Sequence, residues 1–155
     1  MAVFLGTFEN KVDRKGRVSV PAAFRQALAR SAFPGIVARP SYRSPALEAC
    51  DIEFMEQLND SVAANDLYSE AHEDLAFTIF ADSHQLPFDS EGRIILPPAL
   101  VEHAGIGERA GFVGMGGSFQ IWEPETLAQQ KAEARARARA QGLTLPLRRG
   151  PGDAK

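Results

Sequence analysis

The chain has 155 residues, 45% of them hydrophobic, which is enough apolar material for a compact body without cross-links. A lone cysteine, Cys50, excludes an intrachain disulfide framework, and no apolar run approaches the roughly 20 residues of a membrane span. The formal net charge of −3 hides a segregation into +6 over residues 1–45, −14 over 46–127 and +5 over 128–155. A protein that binds a polyanion needs only one positive face, so the first segment is the candidate face despite the acidic total.

The opening residues lack the basic start and long apolar run of a signal peptide, and with one cysteine this points to a reducing, cytoplasmic home. Asp13-Arg14-Lys15-Gly16-Arg17 reads as a turn: Asp13 bonds amides ahead of it, and Gly16 takes the positive φ that strains other residues. Val18 and Val20 alternate with their neighbours as a half-buried strand does. Pro21 ends that strand and suits the first turn of a helix over Ala22–Ala32. Strands are predicted at Gly35–Ala38 and Leu47–Cys50, with Cys50 a small core residue. Two acidic helices follow, Ile52–Ala64 capped by Asp51 and Leu67–Ala76 capped by Asp66. On the first, Ile52, Met55, Leu58 and Val62 form a stripe near helical period that must pack on something larger.

The next segment repeats the first. Phe88-Asp89-Ser90-Glu91-Gly92-Arg93-Ile94-Ile95-Leu96-Pro97-Pro98-Ala99-Leu100 stands 76 residues after Val12 to Phe24. Identity falls at Asp13/Asp89, Gly16/Gly92, Arg17/Arg93, Pro21/Pro97 and Ala23/Ala99. The same offset pairs Phe4 with Phe80 and Ile36-Val37 with Phe112-Val113. A helix over Pro98–Ala104 and strands at Gly111–Met115 and Phe119–Trp122 complete the second copy. A third helix starts at Pro124 and runs into an Ala/Arg-rich stretch, and from Gly142 the chain reads as a disordered basic tail. The expected organisation is a first unit at 1–50, linking helices at 51–76, a second unit at 77–123, a C-terminal helix at 124–141 and a tail at 142–155.

Two Asp-x-x-Gly-Arg-hydrophobic-x-hydrophobic-Pro segments behind the opening Phe4-Leu5-Gly6-Thr7-Phe8-Glu9-Asn10-Lys11 make the chain resemble the MraZ family over nearly its whole length. The resemblance implies an α+β, β-rich fold of two tandem SpoVT/AbrB-like units. Their interlocked, swapped hairpins would form a pseudo-two-fold barrel-like body, assembled into rings of subunits. It further implies a nucleoid-associated regulator that binds double-stranded DNA at tandem direct repeats upstream of a division and cell-wall gene cluster, usually its own promoter, and represses it. In the family the Asp-x-Lys-Gly-Arg loop presents its cations to DNA. The matching positions here are Lys15 and Arg17, with Arg14 adding a third charge.

Each lysine or arginine that neutralises a phosphate releases counterions, whereas an arginine can also read a guanine edge with two bonds. Arg17 has a second role open to it, pairing with Asp13 inside the turn. Arg25 and Arg30 read either as additional contacts or as solvated helix charges. In the second copy Ser90 and Glu91 replace Arg14 and Lys15. Arg93 is therefore expected mainly to hold Asp89 or a neighbouring subunit, with Gly92 serving the turn and DNA contact secondary.

No cofactor, metal or small-molecule substrate is expected. His72, His84 and His103 lie far apart in sequence without a neighbouring nucleophile, and Glu73-Asp74 diverge on a helix, so catalysis is not expected. The Gly114-Met115-Gly116-Gly117 run reads as a hairpin turn rather than a phosphate cradle. Two rivals stay open. One is a ring-forming scaffold or protein-interaction module that uses the acidic middle; the other, a minor one, is an AbrB-type antitoxin, which would need a toxin-binding tail, whereas residues 142–155 show no apolar anchors beyond Leu143, Leu145 and Leu147.

Overall fold

The computed structural model describes residues 2–64, 66 and 68–146. The chain up to Pro124 forms one compact unit, and the segment from Glu125 forms a second, helical one. In order, the elements are β1 (Thr7–Lys11), β2 (Arg17–Ser19), α1 (Ala22–Ala27), β3 (Gly35–Pro40), β4 (Leu47–Cys50), α2 (Ile52–Ala63) and α3 (Glu70–Leu75). A π-helical turn (Ala76–Ala81) leads to β5 (His84–Pro87), β6 (Arg93–Ile95), α4 (Pro98–Ala104), β7 (Arg109–Gly114), β8 (Phe119–Trp122) and α5 (Pro124–Ala140).

The strands form a six-stranded antiparallel sheet of order β1-β7-β8-β4-β3-β5 and a separate two-stranded ribbon, β2-β6. This order records an exchange. The first copy's β1 pairs with the second copy's β7, and the second copy's β5 pairs with the first copy's β3. The same reciprocity fixes the strand ends, where the Val12 amide donates to the Glu108 carbonyl at 2.8 Å and the Phe88 amide to the Pro34 carbonyl at 2.9 Å. The β4-β8 and β2-β6 pairs sit on the pseudo-two-fold relation between the copies.

Alternation sorts the side chains. Ile36 and Ala38 of β3 with Leu47 and Ala49 of β4 face the main core, where they join Phe4, Val18, Val20, Phe24, Ile94, Leu96, Leu100, Phe112, Phe119 and Ile121. Phe4, Phe24 and Phe119 form its aromatic centre, with ring centroids 4.8–5.4 Å apart. Val37 and Cys50 face the other side of the sheet, where Met55, Ile52 and Leu58 of the expected helical stripe cover them together with Phe54 and with Ile79 and Phe80 of the π-helical turn. Cys50 is buried there, and burial pushes its thiol up to about 12.

Several expectations are corrected. The barrel-like body is an open six-stranded sheet plus a ribbon: β2 and β6 are three-residue strands stopped by Pro21 and Pro97, and β2 meets the end of the first strand through the isolated Val12–Val18 bridge rather than a continuous ladder. The helix expected to reach Ala32 ends at Ala27, because the Glu53 carboxylate accepts the Ser31 hydroxyl and the Ala32 amide, each at 2.8 Å, and holds the following turns open. Those bonds, the Ala32 amide first, hold the Glu53 carboxyl below its ordinary range. The second linking helix begins at Glu70 rather than at 67. Ser69 caps it by accepting the His72 amide at 3.0 Å, while Asp66 turns the chain ahead of it. Helical turns then continue to Ala81, beyond the expected limit at 76.

The constant offset also fails outside the motif. Lys11 pairs with Arg109 while its counterpart Pro87 pairs with Gly35, so an offset of 76 becomes 74 across β3 and β7. The equivalents of Ile36 and Val37 are therefore Ala110 and Gly111, not Phe112 and Val113. Phe4 lies in the main core, whereas Phe80 packs on the opposite face of the sheet. In the helical unit, α5 ends on Arg137 and Arg139, cations that suit the negative end of a helix dipole. The tail expected at 142–155 falls largely on residues 147–155, which lie outside the described residues.

Candidate nucleic-acid interface

The two Asp-x-x-Gly-Arg segments build the same clasp. In the first, Asp13 Oδ1 accepts the amides of Lys15 and Arg17, both at 2.9 Å, and Oδ2 accepts Arg17 Nε at 2.7 Å. The Gly16 amide donates to the Asp13 carbonyl and the Asp13 amide to the Arg17 carbonyl, both at 3.0 Å, which closes the turn. Gly16 adopts φ +82°, and a Cβ there would lie 2.8 Å from the Leu96 carbonyl oxygen. The second copy repeats each bond: Asp89 Oδ1 accepts the amides of Glu91 and Arg93 at 2.8 and 2.9 Å, and Oδ2 accepts Arg93 Nε at 2.9 Å. The amide donors, those of Arg17 and Arg93 foremost, hold both aspartates below the ordinary carboxylate range. The Asp89 hydrogen bond in turn raises Arg93 above the usual arginine value.

What the clasps leave over differs. Arg14 and Lys15 are exposed at the first turn and form no ion pair among the described residues. At the second turn Glu91 is itself a partner, its carboxylate lying 2.7 Å from Arg93 Nη2. Arg93 is thus held by two carboxylates, and Arg17 by one. Arg17 keeps its remaining guanidinium edge, with about a third of the side chain exposed.

The ribbon fixes where these charges stand. Register places Arg17 opposite Ile95 and Ser19 opposite Arg93, with Val18 and Ile94 buried beneath. Alternation therefore puts Arg17, Ser19, Arg93 and the exposed Ile95 on one outward face. The ladder continues past the strands: the Leu96 amide donates to the Gly16 carbonyl at 2.9 Å and the Val20 amide to the Gly92 carbonyl at 3.2 Å. Each turn is therefore tied to the other copy's strand end. Asn10 adds a strut from β1, its Nδ2 donating to the Ser19 carbonyl at 2.8 Å, a contact that no sequence signal marks. Beside the first turn runs an open groove lined by Lys11, Val12, Asp13, Arg14, Glu108 and Arg109, with Arg109 paired to Glu9.

The expected site residues are thus gathered on one ribbon, Asp13, Arg14, Lys15, Gly16 and Arg17 at one end and Asp89, Gly92 and Arg93 at the other. Arg30 lies on a different surface, beside Ser31 and Glu53. Among the described residues no cluster of histidine, cysteine and carboxylate groups is placed to hold a metal, and no helix is long and apolar enough to cross a membrane.

Fold and site together define a duplicated, strand-exchanged α+β protein that offers one cationic turn and one internally neutralised turn. The sequence matches the MraZ protein family, described as antitoxin-like, over residues 3–37 and 79–146. Relatives carrying the name transcriptional regulator MraZ include that of Gluconacetobacter diazotrophicus, 43% identical over 99% of this chain and 100% of its own length. Those of Rickettsia bellii and Gluconobacter oxydans are each 44% identical, over 94% and 99% of this chain and 97% and 93% of their own. The chain belongs to the MraZ family.

Proposed function

We propose that the chain is a sequence-specific DNA-binding transcriptional regulator whose first turn, Asp13 to Arg17, is the DNA-contacting element. The observation that carries this reading is the pair of exposed cations Arg14 and Lys15, without an ion pair among the described residues, on a turn fixed by the Asp13 clasp. A preorganised cation loses little entropy on meeting a phosphate. Arg17, with one edge anchored and one free, is the base reader, and Arg14 and Lys15 are phosphate contacts. The names of the relatives support the same reading.

On this reading the two copies are tandem SpoVT/AbrB-like units over 1–50 and 77–123. The chain acts in the cytoplasm on the nucleoid as a ring of identical subunits on tandem direct repeats. It represses its own promoter and the division and cell-wall gene cluster that follows. A single turn makes few contacts, and several turns on one ring gain affinity through effective concentration. The exposed Leu5, Phe77 and Met115 supply apolar surface that a second copy would cover.

The test is binding of the purified protein to DNA from upstream of its own gene, against a scrambled duplex, over a salt series. Wild type should prefer the upstream DNA and weaken as salt rises. Arg17→Ala should abolish the preference with the oligomer intact, and the Arg14→Ala/Lys15→Ala pair should flatten the salt dependence. An intact oligomer that treats both duplexes alike at every salt overturns the reading and favours a scaffold that uses the acidic middle.

A further inference from the structure

The second turn lacks the cations of the first, yet a cation stands over it. Arg25 belongs to α1 of the first copy, and its Nε donates to the Val20 carbonyl at 3.0 Å. A Cβ built on Gly92 would lie 2.7 Å from both Cδ and Nη1 of Arg25, so the side chain runs directly across the glycine of the second turn. Val20 is the residue whose amide the Gly92 carbonyl accepts. One strand end therefore fixes both the turn and the arginine above it. Arg25 is exposed and forms no ion pair among the described residues. At the corresponding position of α4 stands Val101, packed against the core, so the second copy returns no such cation to the first turn.

We propose that Arg25 is a phosphate contact of the second end of the ribbon, supplied across the copies where Ser90 and Glu91 supply none. The inference rests on the DNA-binding reading above. Gly16 and Gly92 mark the two ends, each bonded to the residue opposite, Leu96 and Val20, so the ends lie four residues apart along the ribbon. At about 3.4 Å per residue the separation is about 14 Å. A major groove is roughly 12 Å wide and admits a two-stranded ribbon. Arg14 and Lys15 at one end and Arg25 at the other then meet the phosphates flanking one groove, while Arg17 between them faces the bases. Glu91 opposes this only in part, because its carboxylate is paired with Arg93. Arg25 adds affinity without sequence information, which distinguishes it from Arg17.

The experiment measures affinity of wild type, Arg25→Gln and Arg25→Lys for the upstream and scrambled duplexes across a salt series, with Arg14→Ala/Lys15→Ala in parallel. Arg25→Gln should weaken binding to both duplexes about equally, about tenfold, and reduce the slope of log affinity against log salt by about 0.9. Arg25→Lys should restore the slope by returning the charge, even if removing the Val20 bond costs some stability. An unchanged slope in Arg25→Gln, or equal slope losses in both variants, overturns the proposal. If wild type itself lacks salt-dependent binding, the DNA reading has failed. If wild type binds and the Arg14/Lys15 pair matters while Arg25→Gln does not, only this inference has failed.

Discussion

The two turn glycines offer a matched pair of perturbations whose costs the structure ranks. Both adopt positive φ, +82° at Gly16 and +76° at Gly92, so alanine at either carries the left-handed penalty of about 1–2 kcal/mol. What the new methyl meets differs. At Gly16 it would sit 2.8 Å from the Leu96 carbonyl oxygen, backbone that the Leu96–Gly16 hydrogen bond ties into the ribbon, so the two copies must part slightly there. At Gly92 it meets the outer atoms of Arg25, which can swing into solvent. Adding about 1–2 kcal/mol for the displaced backbone puts Gly16→Ala near 3 kcal/mol, against about 1.5 kcal/mol for Gly92→Ala. For a chain of this length that corresponds to a fall in Tm of about 9 °C against about 4 °C. Thermal melts at matched protein concentration read the difference, concentration being fixed because self-association raises Tm. Equal losses, or a larger loss at Gly92, would refute the ranking and the ribbon contact on which it stands. Gly92→Ala should also reproduce part of the Arg25→Gln salt phenotype, since it dislodges the same guanidinium.

Three further outcomes follow from the same geometry. Asp13, Asp89 and Glu53 carry folded-state values below their unfolded ones, so their contributions are present above about pH 4 and are lost as pH falls through the folded values; Tm should drop below about pH 4. A melt series in which Asp13→Asn is as acid-sensitive as wild type would remove Asp13 from that list. Glu91→Gln should free one edge of Arg93 and tighten DNA binding about threefold to tenfold at low salt, read in the same titrations; no change would mean that Arg93 lies outside the interface. Cys50, buried with its thiol pushed up to about 12, should resist a thiol reagent at neutral pH in the native protein and react once unfolded. Rapid labelling of folded protein would show that α2 opens from the sheet.

The turns were legible in sequence because their chemistry closes within five residues: the Asp13 carboxylate, the Gly16 φ and the Arg17 guanidinium need nothing from elsewhere. Helix α4 and strands β4 and β8 were legible for the same local reasons. The end of α1 was not, since Glu53, over 20 residues away, decides where the chain leaves the helix. The exchange of β1 and β5 is likewise a choice among edges that local pattern cannot rank. A constant repeat offset misplaced β3 against β7 because the copies differ in connection length, residues 28–34 in one and 105–108 in the other. Arg25 is the instructive case at the site. In sequence it is an ordinary helix charge, and only the exchanged topology brings it over Gly92.

That topology also bears on what kind of DNA site such a chain would read. A homodimer with two equal arms matches a palindrome, because protein and operator share a two-fold axis. Here the axis is only approximate: the clasp residues Asp, Gly and Arg are kept at both ends of the ribbon, and divergence falls on the two positions whose side chains leave the clasp, Arg14-Lys15 against Ser90-Glu91. The clasp must stay because it holds the turns. The two intervening positions lie outside the bonds the clasps share: Arg14 and Lys15 form no ion pair among the described residues, whereas Glu91 pairs with Arg93. The result is a ribbon with direction, its arginine held by one carboxylate at one end and by two at the other. If Arg25 serves the second end, it does so as a phosphate contact and leaves the direction intact. On the proposed DNA-binding reading, directional subunits arranged side by side would present the same end repeatedly in the same sense, and the DNA to match them would be a series of direct repeats rather than an inverted pair.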